Sequence, residues 1–263
     1  MRLPQALRPD WPAPAHVSAL MSTRSGGVSA APFDSLNLRP PALGGAGADK
    51  PESVFQNQRH FSQALGAAPV WLNQVHGATV VTLTAADLQA GRELPQADAS
   101  ISREPGLACA VLVADCLPLL LCSADGLAVG AVHAGWRGLA AGVIDQSVSA
   151  LCKLAGCSAD QLLAWLGPCI GPQAFEVGED VLQAFGVDPR SPDELLFRRS
   201  PRPDGSLRWR ADLAGLARRR LATLGVRQIS GGTWCTVSDP SRFFSFRRDG
   251  HTGRMAAAVA VQG

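Results

Sequence analysis

The stretch Ala108–Gly138, ACAVLVADCLPLLLCSADGLAVGAVHAGWRG, decides the fold. Its opening run, Ala108–Ala114, is continuously apolar, too short to span a membrane and bounded by polar residues. That is the pattern of a strand buried on both faces. The run stops at Asp115-Cys116, and Pro118, lacking a backbone donor, is expected to end regular pairing there. A second run (Leu119–Cys122), a turn at Ser123–Gly126 and a strand over Leu127–His133 read as a hairpin. That strand breaks into Ala134-Gly135-Trp136-Arg137-Gly138 before a helical pattern begins. Cys116 and His133 thus stand at the ends of two buried strands, where a rigid scaffold presents chemistry.

The 263 residues, 46% hydrophobic and 17% charged, suffice for a substantial core and exclude general disorder. A net charge of +2 supplies no strong field, so neither nucleic acid nor a membrane surface is an expected partner. Only Lys50 and Lys153 are lysines and tyrosine is missing, which argues against a Schiff base and removes a phenolic acid or base. The seven cysteines form no CxxC pair and sit mostly in apolar runs, as reduced structural thiols do. The start of the chain lacks a signal pattern and no apolar run approaches about 18 residues, so a cytoplasmic location is expected.

Working outward, Val17–Thr23 reads as a strand, followed by a glycine turn at Arg24-Ser25-Gly26-Gly27-Val28-Ser29. Residues 40–50, rich in Pro, Gly and Ala, read as a mobile loop. Val54, Gln58, Phe61 and Leu65 recur at helical spacing, with Pro51 at the start and Gly66 just past the end. Val70–His76 alternates as a strand does, which would place His76 at a third strand end. Residues 84–98 read as a surface excursion ending at Asp98. Positions from Ala140 to Cys152 repeat at three and four, predicting one amphipathic helix packed on the sheet. Ser158 with Gln161 fits a capping box. A helix is expected over Glu176–Phe185, a solvated loop over 188–206 and an amphipathic helix over Leu213–Leu224. Strands are expected at Val226–Ser230, Phe243–Arg248 (an edge) and Met255–Val261. No internal repeat or linker divides the chain, so residues 1–263 are expected to form a single α+β domain.

His76, Cys116 and His133 stand out by position. A His₂Cys set leaves one position open on zinc, as catalytic sites do, and zinc lowers the pKa of a bound water to about 7. Three other readings use the same residues. They could be buried structural side chains, or Cys116 with a histidine base could be a cysteine hydrolase. The set also matches trigonal copper, which needs a weak axial ligand such as methionine. None of Met1, Met21 and Met255 lies near these strands in sequence, and five histidines cannot furnish several copper centres. Copper is therefore disfavoured.

Seven segments closely resemble the YfiH family, long labelled a polyphenol oxidase or laccase domain. They are Thr23–Ser29, Asn73–Gly77, Ala114–Pro118, Ala131–Gly138, Gly167–Pro172, Phe244–Asp249 and Thr252–Arg254, and they span nearly the whole chain. The resemblance implies mixed β-sheets packed as a helix-flanked sandwich of the cytotoxic necrotizing factor-like kind, related to cysteine hydrolases. It implies that His76, Cys116 and His133 bind zinc. It also implies phosphorolysis of adenosine, inosine, guanosine and methylthioadenosine, together with adenosine deamination, by a protein expected to be monomeric. Editing of peptidoglycan precursors is a further activity linked to the family. Deamination needs a carboxylate to shuttle a proton, for which Asp115 and Asp98 are the candidates, with Glu176 and Asp249 behind them. Phosphorolysis needs an anion site, for which Arg24, Arg247 and Arg137 are candidates. Asn37 and Gln74 are candidates to hydrogen-bond base or ribose. No Walker-type or Rossmann glycine loop is present, so neither a nucleoside triphosphate nor NAD is an expected cofactor.

Overall fold

In a computed structural model, which describes residues 3, 5–45, 48–89 and 91–263, the long apolar runs fold as strands covered on both faces. The chain opens with strand β1 (Val17–Met21), helix α1 (Pro51–Leu65) and the short strands β2 (Ala68–Val70) and β3 (Val80–Thr82). Strands β4 (Ala99–Ser102) and β5 (Leu107–Val113) lead to β6 (Leu117–Ser123) and β7 (Val129–Ala134), then to helices α2 (Trp136–Ala140) and α3 (Val143–Ala155). Next come β8 (Leu162–Leu166), β9 (Glu176–Val177), α4 (Glu179–Ala184), β10 (Phe197–Arg199), β11 (Trp209–Ala211) and α5 (Leu213–Thr223). The order closes with β12 (Gln228–Gly231), α6 (Phe246–Asp249) and β13 (Met255–Val261).

These strands form a four-stranded sheet, β1-β13-β5-β2, a six-stranded sheet, β12-β8-β6-β7-β4-β3, and a small three-stranded one, β10-β11-β9. The two large sheets face each other. Cys109, Val111 and Val113 of β5 and Ala257 and Val259 of β13 pack against Leu120, Val129, Ala131 and Trp165 of the other sheet. Alternate residues of the same strands serve the outer faces. Ala108, Ala110, Leu112, Ala256 and Ala258 lie under Phe61 and Leu65 of α1. Leu117, Leu119, Leu121 and Val132 lie under Ile144, Val148 and Leu151 of α3 and Leu216 and Leu221 of α5. Because both faces of the central strands are covered, every second residue cannot be polar, which accounts for their unbroken apolar runs. The result is the expected α+β sandwich flanked by helices.

Helix α1 has the predicted limits: Pro51 opens it and Gly66, at φ 78°, donates its N–H to the Ser62 carbonyl. The expected hairpin also forms, β6 pairing antiparallel with β7 and Leu119 opposite Val132. Several expectations are corrected. Pro118 does not stop pairing; it sits inside β6 opposite His133, and its carbonyl accepts from Gly167 N–H. A proline near a strand's first residue removes one donor and leaves the rest of the ladder intact. The strand expected over Val70–His76 ends at Val70, and His76 adopts φ 60° in a loop. The helix expected from Ala140 to Cys152 is two, α2 and α3, separated where Gly142 takes φ 89°.

Glu176–Phe185 begins as strand β9 and becomes α4 only at Glu179, while the loop over 188–206 contains β10. Phe243–Arg248 is not an edge strand: the Ser245 side chain accepts from Arg248 N–H and caps α6. The capping box at Ser158 and Gln161 is present, over a single 3-10 turn. Pro41–Leu43 form another 3-10 turn; residues 46 and 47 of the expected mobile loop, residue 90 of the surface excursion and residues 1, 2 and 4 lie outside the described residues. Among the described residues no helix is long and apolar enough to cross a membrane.

Candidate functional site

Between Val113 and Leu117 the chain leaves the four-stranded sheet and enters the six-stranded one. Asp115 makes that corner possible in an uncommon left-handed conformation, φ 93°. Its carboxylate accepts from the Thr236 hydroxyl at 2.5 Å and from the Arg247 N–H at 2.6 Å, and its carbonyl accepts from Ile170 N–H at 2.8 Å. The corner is thereby tied to both loops that flank it, and Cys116 follows directly, half-buried. His133, the penultimate residue of β7, lies in the adjacent strand and is buried. His76 arrives from its loop with its ring exposed.

One buried carboxylate sets both histidines. Asp98, just before β4, accepts from His133 Nδ1 at 2.8 Å and from the backbone N–H groups of Val75 (3.2 Å), His76 (2.9 Å) and Gly77 (2.7 Å). The bond to Nδ1 places that ring's proton there and leaves Nε2 free to ligate, the usual carboxylate–histidine–metal relation. The left-handed His76 backbone is what turns three successive N–H groups toward one carboxylate. Burial works against the charged form of Asp98, yet the His133 and Gly77 hydrogen bonds outweigh it and hold the carboxyl below its ordinary value.

His76, Cys116 and His133 present ligand atoms within 4.8 Å of one another, with Cys116 Sγ 3.8 Å from His76 Nε2 and the two imidazoles 4.8 Å apart at 78°. Burial by itself would push the Cys116 thiol up, but the charge and hydrogen bond of His133, with those of His76, bring it down to about 6. His133 shows the reverse: burial disfavours its cation, while the Cys116 charge and the Asp98 hydrogen bond raise it to about 9. A thiolate and two imidazoles at this spacing fit a borderline-soft divalent metal, which Cys116, His133 and His76 would hold in their deprotonated, ligating forms. Among the described residues this is the one group of three or more metal-competent side chains brought this close. Gly135 leaves room for it, since a Cβ there would lie 3.0 Å from Cys116 Sγ and 3.1 Å from His76 Cδ2.

The group lies on the wall of a cavity of about 510 Å³ whose lining also carries Arg39, Arg137, Arg247 and Arg254. None of these four pairs with a carboxylate among the described residues. Arg137 stacks on Trp136 at 4.3 Å, and Arg247 donates to the Glu176 carbonyl at 3.1 Å. Burial, with the charge of nearby Arg39, lowers the pKa of Arg254. Arg39 keeps a buried Nη1 with no partner. Convergent cations with spare donors make an anion site.

The sequence candidates divide accordingly. Asp115, Gln74, Arg137 and Arg247 line the cavity with the metal-competent group. Gln74 is itself held, donating to and accepting from the Leu112 backbone at 2.9 and 2.7 Å. Asp98 lies behind the histidines with its carboxylate fully engaged. Arg24 is elsewhere, bound to Asp34 and the Pro240 carbonyl, and Asn37 is buried, organising the backbone at Arg39 and Arg254. Glu176 pairs with Arg202 and Arg210, and Asp249 with Arg248. Sequence reasoning missed Arg39 and Arg254. Arg254 ends one of the family-like segments, and nothing local marks Arg39.

This architecture and this ligand set define a metal-competent sandwich protein with a cationic cavity. A profile of the multi-copper polyphenol oxidoreductase laccase family matches residues 18–262, and the chain belongs to that family, which includes the YfiH proteins. It is 49% identical over 256 residues to a purine nucleoside phosphorylase of Pseudomonas aeruginosa, covering 97% of this chain and 98% of that one. It is 46% identical over 254 residues to the purine nucleoside phosphorylase YfiH of Escherichia coli, covering 95% and 96%. The crystal structure of a Neisseria meningitidis protein superposes with a TM-score of 0.85 at 43% identity, covering 98% of this chain and 100% of that one.

Proposed function

We propose that residues 1–263 form a single catalytic domain, a zinc-dependent purine nucleoside phosphorylase acting on adenosine, inosine, guanosine and 5′-methylthioadenosine, with adenosine deaminase activity. The observation that carries the reading is one cavity holding both the His76–Cys116–His133 group and four arginines that have no carboxylate partner among the described residues. The names of the relatives supply the substrate class. His76, Cys116 and His133 would hold zinc, which would supply Lewis-acid charge at neutral pH. Arg39, Arg137, Arg247 and Arg254 hold the phosphate dianion, with the Arg39 Nη1 gaining the acceptor it lacks. In phosphorolysis a phosphate oxygen bonds to C1′ as the C1′–N9 bond breaks, and the base leaves with its electron pair. Asp98 keeps His133 in the ligating tautomer. Asp115, the acidic residue in the lining, is the candidate to move the proton in deamination, and Gln74, also in the lining, is the candidate to hydrogen-bond base or ribose with its second amide proton. Among the described residues, a single cluster of metal-competent side chains and a lining without methionine favour zinc over a multi-copper centre.

A second reading rests on the lowered Cys116 thiol beside the raised His133, the charge state of a cysteine hydrolase. One experiment separates the two. Metal content is quantified and phosphate-dependent cleavage of inosine followed before and after chelation. About one zinc per chain, with activity lost on chelation and restored by zinc, is expected. Activity that survives metal removal and disappears on alkylation of Cys116 would establish the thiol reading instead.

A further inference from the structure

Among the described residues, Trp136, Phe175 and Phe246 line the cavity beside the two histidines, and they differ in availability. Phe175 is buried, and Trp136 carries the Arg137 guanidinium on its face. Phe246 is 57% exposed and belongs to none of the three hydrophobic cores. Its burial therefore does little to hold the fold. Its position is nevertheless tightly held. Ser245 caps the turn, the N–H of Arg247 is bound by Asp115, and the Arg248 guanidinium donates to the carbonyls of Thr236, Val237 and Phe243. The Arg254 guanidinium lies 5.8 Å from the ring centroid.

We propose that Phe246 is the platform on which the purine base stacks. The inference rests on the phosphorylase reading and names the base subsite within it. A flat ring, presented rigidly on a cavity wall and outside the hydrophobic cores, offers an apolar face that every purine matches regardless of its exocyclic groups. Stacking of this kind tolerates adenine, hypoxanthine and guanine alike. Arg254, beside the ring and also in the lining, brings the anion site and the base platform within one substrate's reach.

The test is calorimetric binding of inosine in the absence of phosphate, so that no phosphorolysis occurs, to the zinc-loaded wild type, Phe246→Ala and Phe246→Trp. Phosphorolysis by the wild type is measured alongside. The expected results are binding weakened about tenfold in Phe246→Ala, kept within about twofold in Phe246→Trp, and unchanged melting temperatures. In steady state Phe246→Ala should raise KM for inosine and leave KM for phosphate alone. If wild-type turnover is present and Phe246→Ala binds inosine as the wild type does, the platform is overturned and the phosphorylase reading stands. If the wild type neither binds nor cleaves inosine, both fall.

Discussion

Asp98 shows how one side chain can organise a site without touching substrate. Its carboxylate joins residues 75–77 to His133, so removing its charge loosens two ligands at once. Asp98→Asn keeps the shape but offers one acceptor oxygen in place of two. Zinc affinity should fall tenfold to a hundredfold, read by competition with a chromophoric chelator; unchanged affinity would refute the role. Cys116 is the other decisive residue. In metal-free protein its thiol is lowered from 9.0 to about 6, so the thiolate's contribution to stability fades as pH falls through about 6. His133, raised from 6.5 to about 9, contributes fully below 6.5 and loses that contribution as pH rises through about 9. The ion pair therefore persists between those limits. Alkylation of Cys116 by iodoacetamide, followed by mass spectrometry of its peptide, should show a midpoint near pH 6 after chelation. A midpoint near 9 would mean an ordinary thiol. Cys109 and Cys122, which burial pushes up to about 12, should stay unmodified.

Elements were legible where local rules suffice. Helix α1 follows from its period and its Pro and Gly boundaries, and the β6–β7 hairpin from two apolar runs about a turn. Element α6 differs from the expected edge strand: Phe243-Phe244-Ser245-Phe246 is rich in aromatic residues, as strands are, but Phe243 and Phe244 are both buried and Ser245 caps a helical turn. The turn from β7 into α2 carries its own constraint. At Gly135 a methyl group would press on Cys116 Sγ and His76 Cδ2, while at Gly138 it would come within 2.7 Å of the Gly77 carbonyl. Gly135→Ala is expected to retain its circular dichroism spectrum and lose about tenfold or more in zinc affinity, measured by the same competition. Native affinity would show that the ligands shift freely.

For the molecule as a whole, stability and chemistry come from different layers. The contact between the large sheets is apolar, and Leu120, fully buried in it, lies in β6 beyond the metal-competent end. Leu120→Ala should cost about 2–5 kcal/mol in urea unfolding while zinc binding by the folded protein stays near native. A loss below about 1 kcal/mol would mean the sheets close over the gap. The cavity arises where the sheet-crossing corner, the His76 loop, α6 and the loops bearing Arg39 and Arg254 meet. Its cations come from distant parts of the chain, so only the packed sheets bring them together.

By itself the sequence determined the strand-rich core, the major helices and, by their positions beside the ends of apolar runs, the three metal-competent residues, for which resemblance to a known family implied zinc. Periodicity and end signals are local, and they report burial and element type directly. Tertiary structure alone decided that Asp98 holds both histidines, that Arg24 and Asn37 lie apart from the cavity, and that Arg39, Arg254 and Phe246 line it. Those facts depend on left-handed backbone at His76 and Asp115 and on contacts between residues far apart in sequence, which no local spacing encodes.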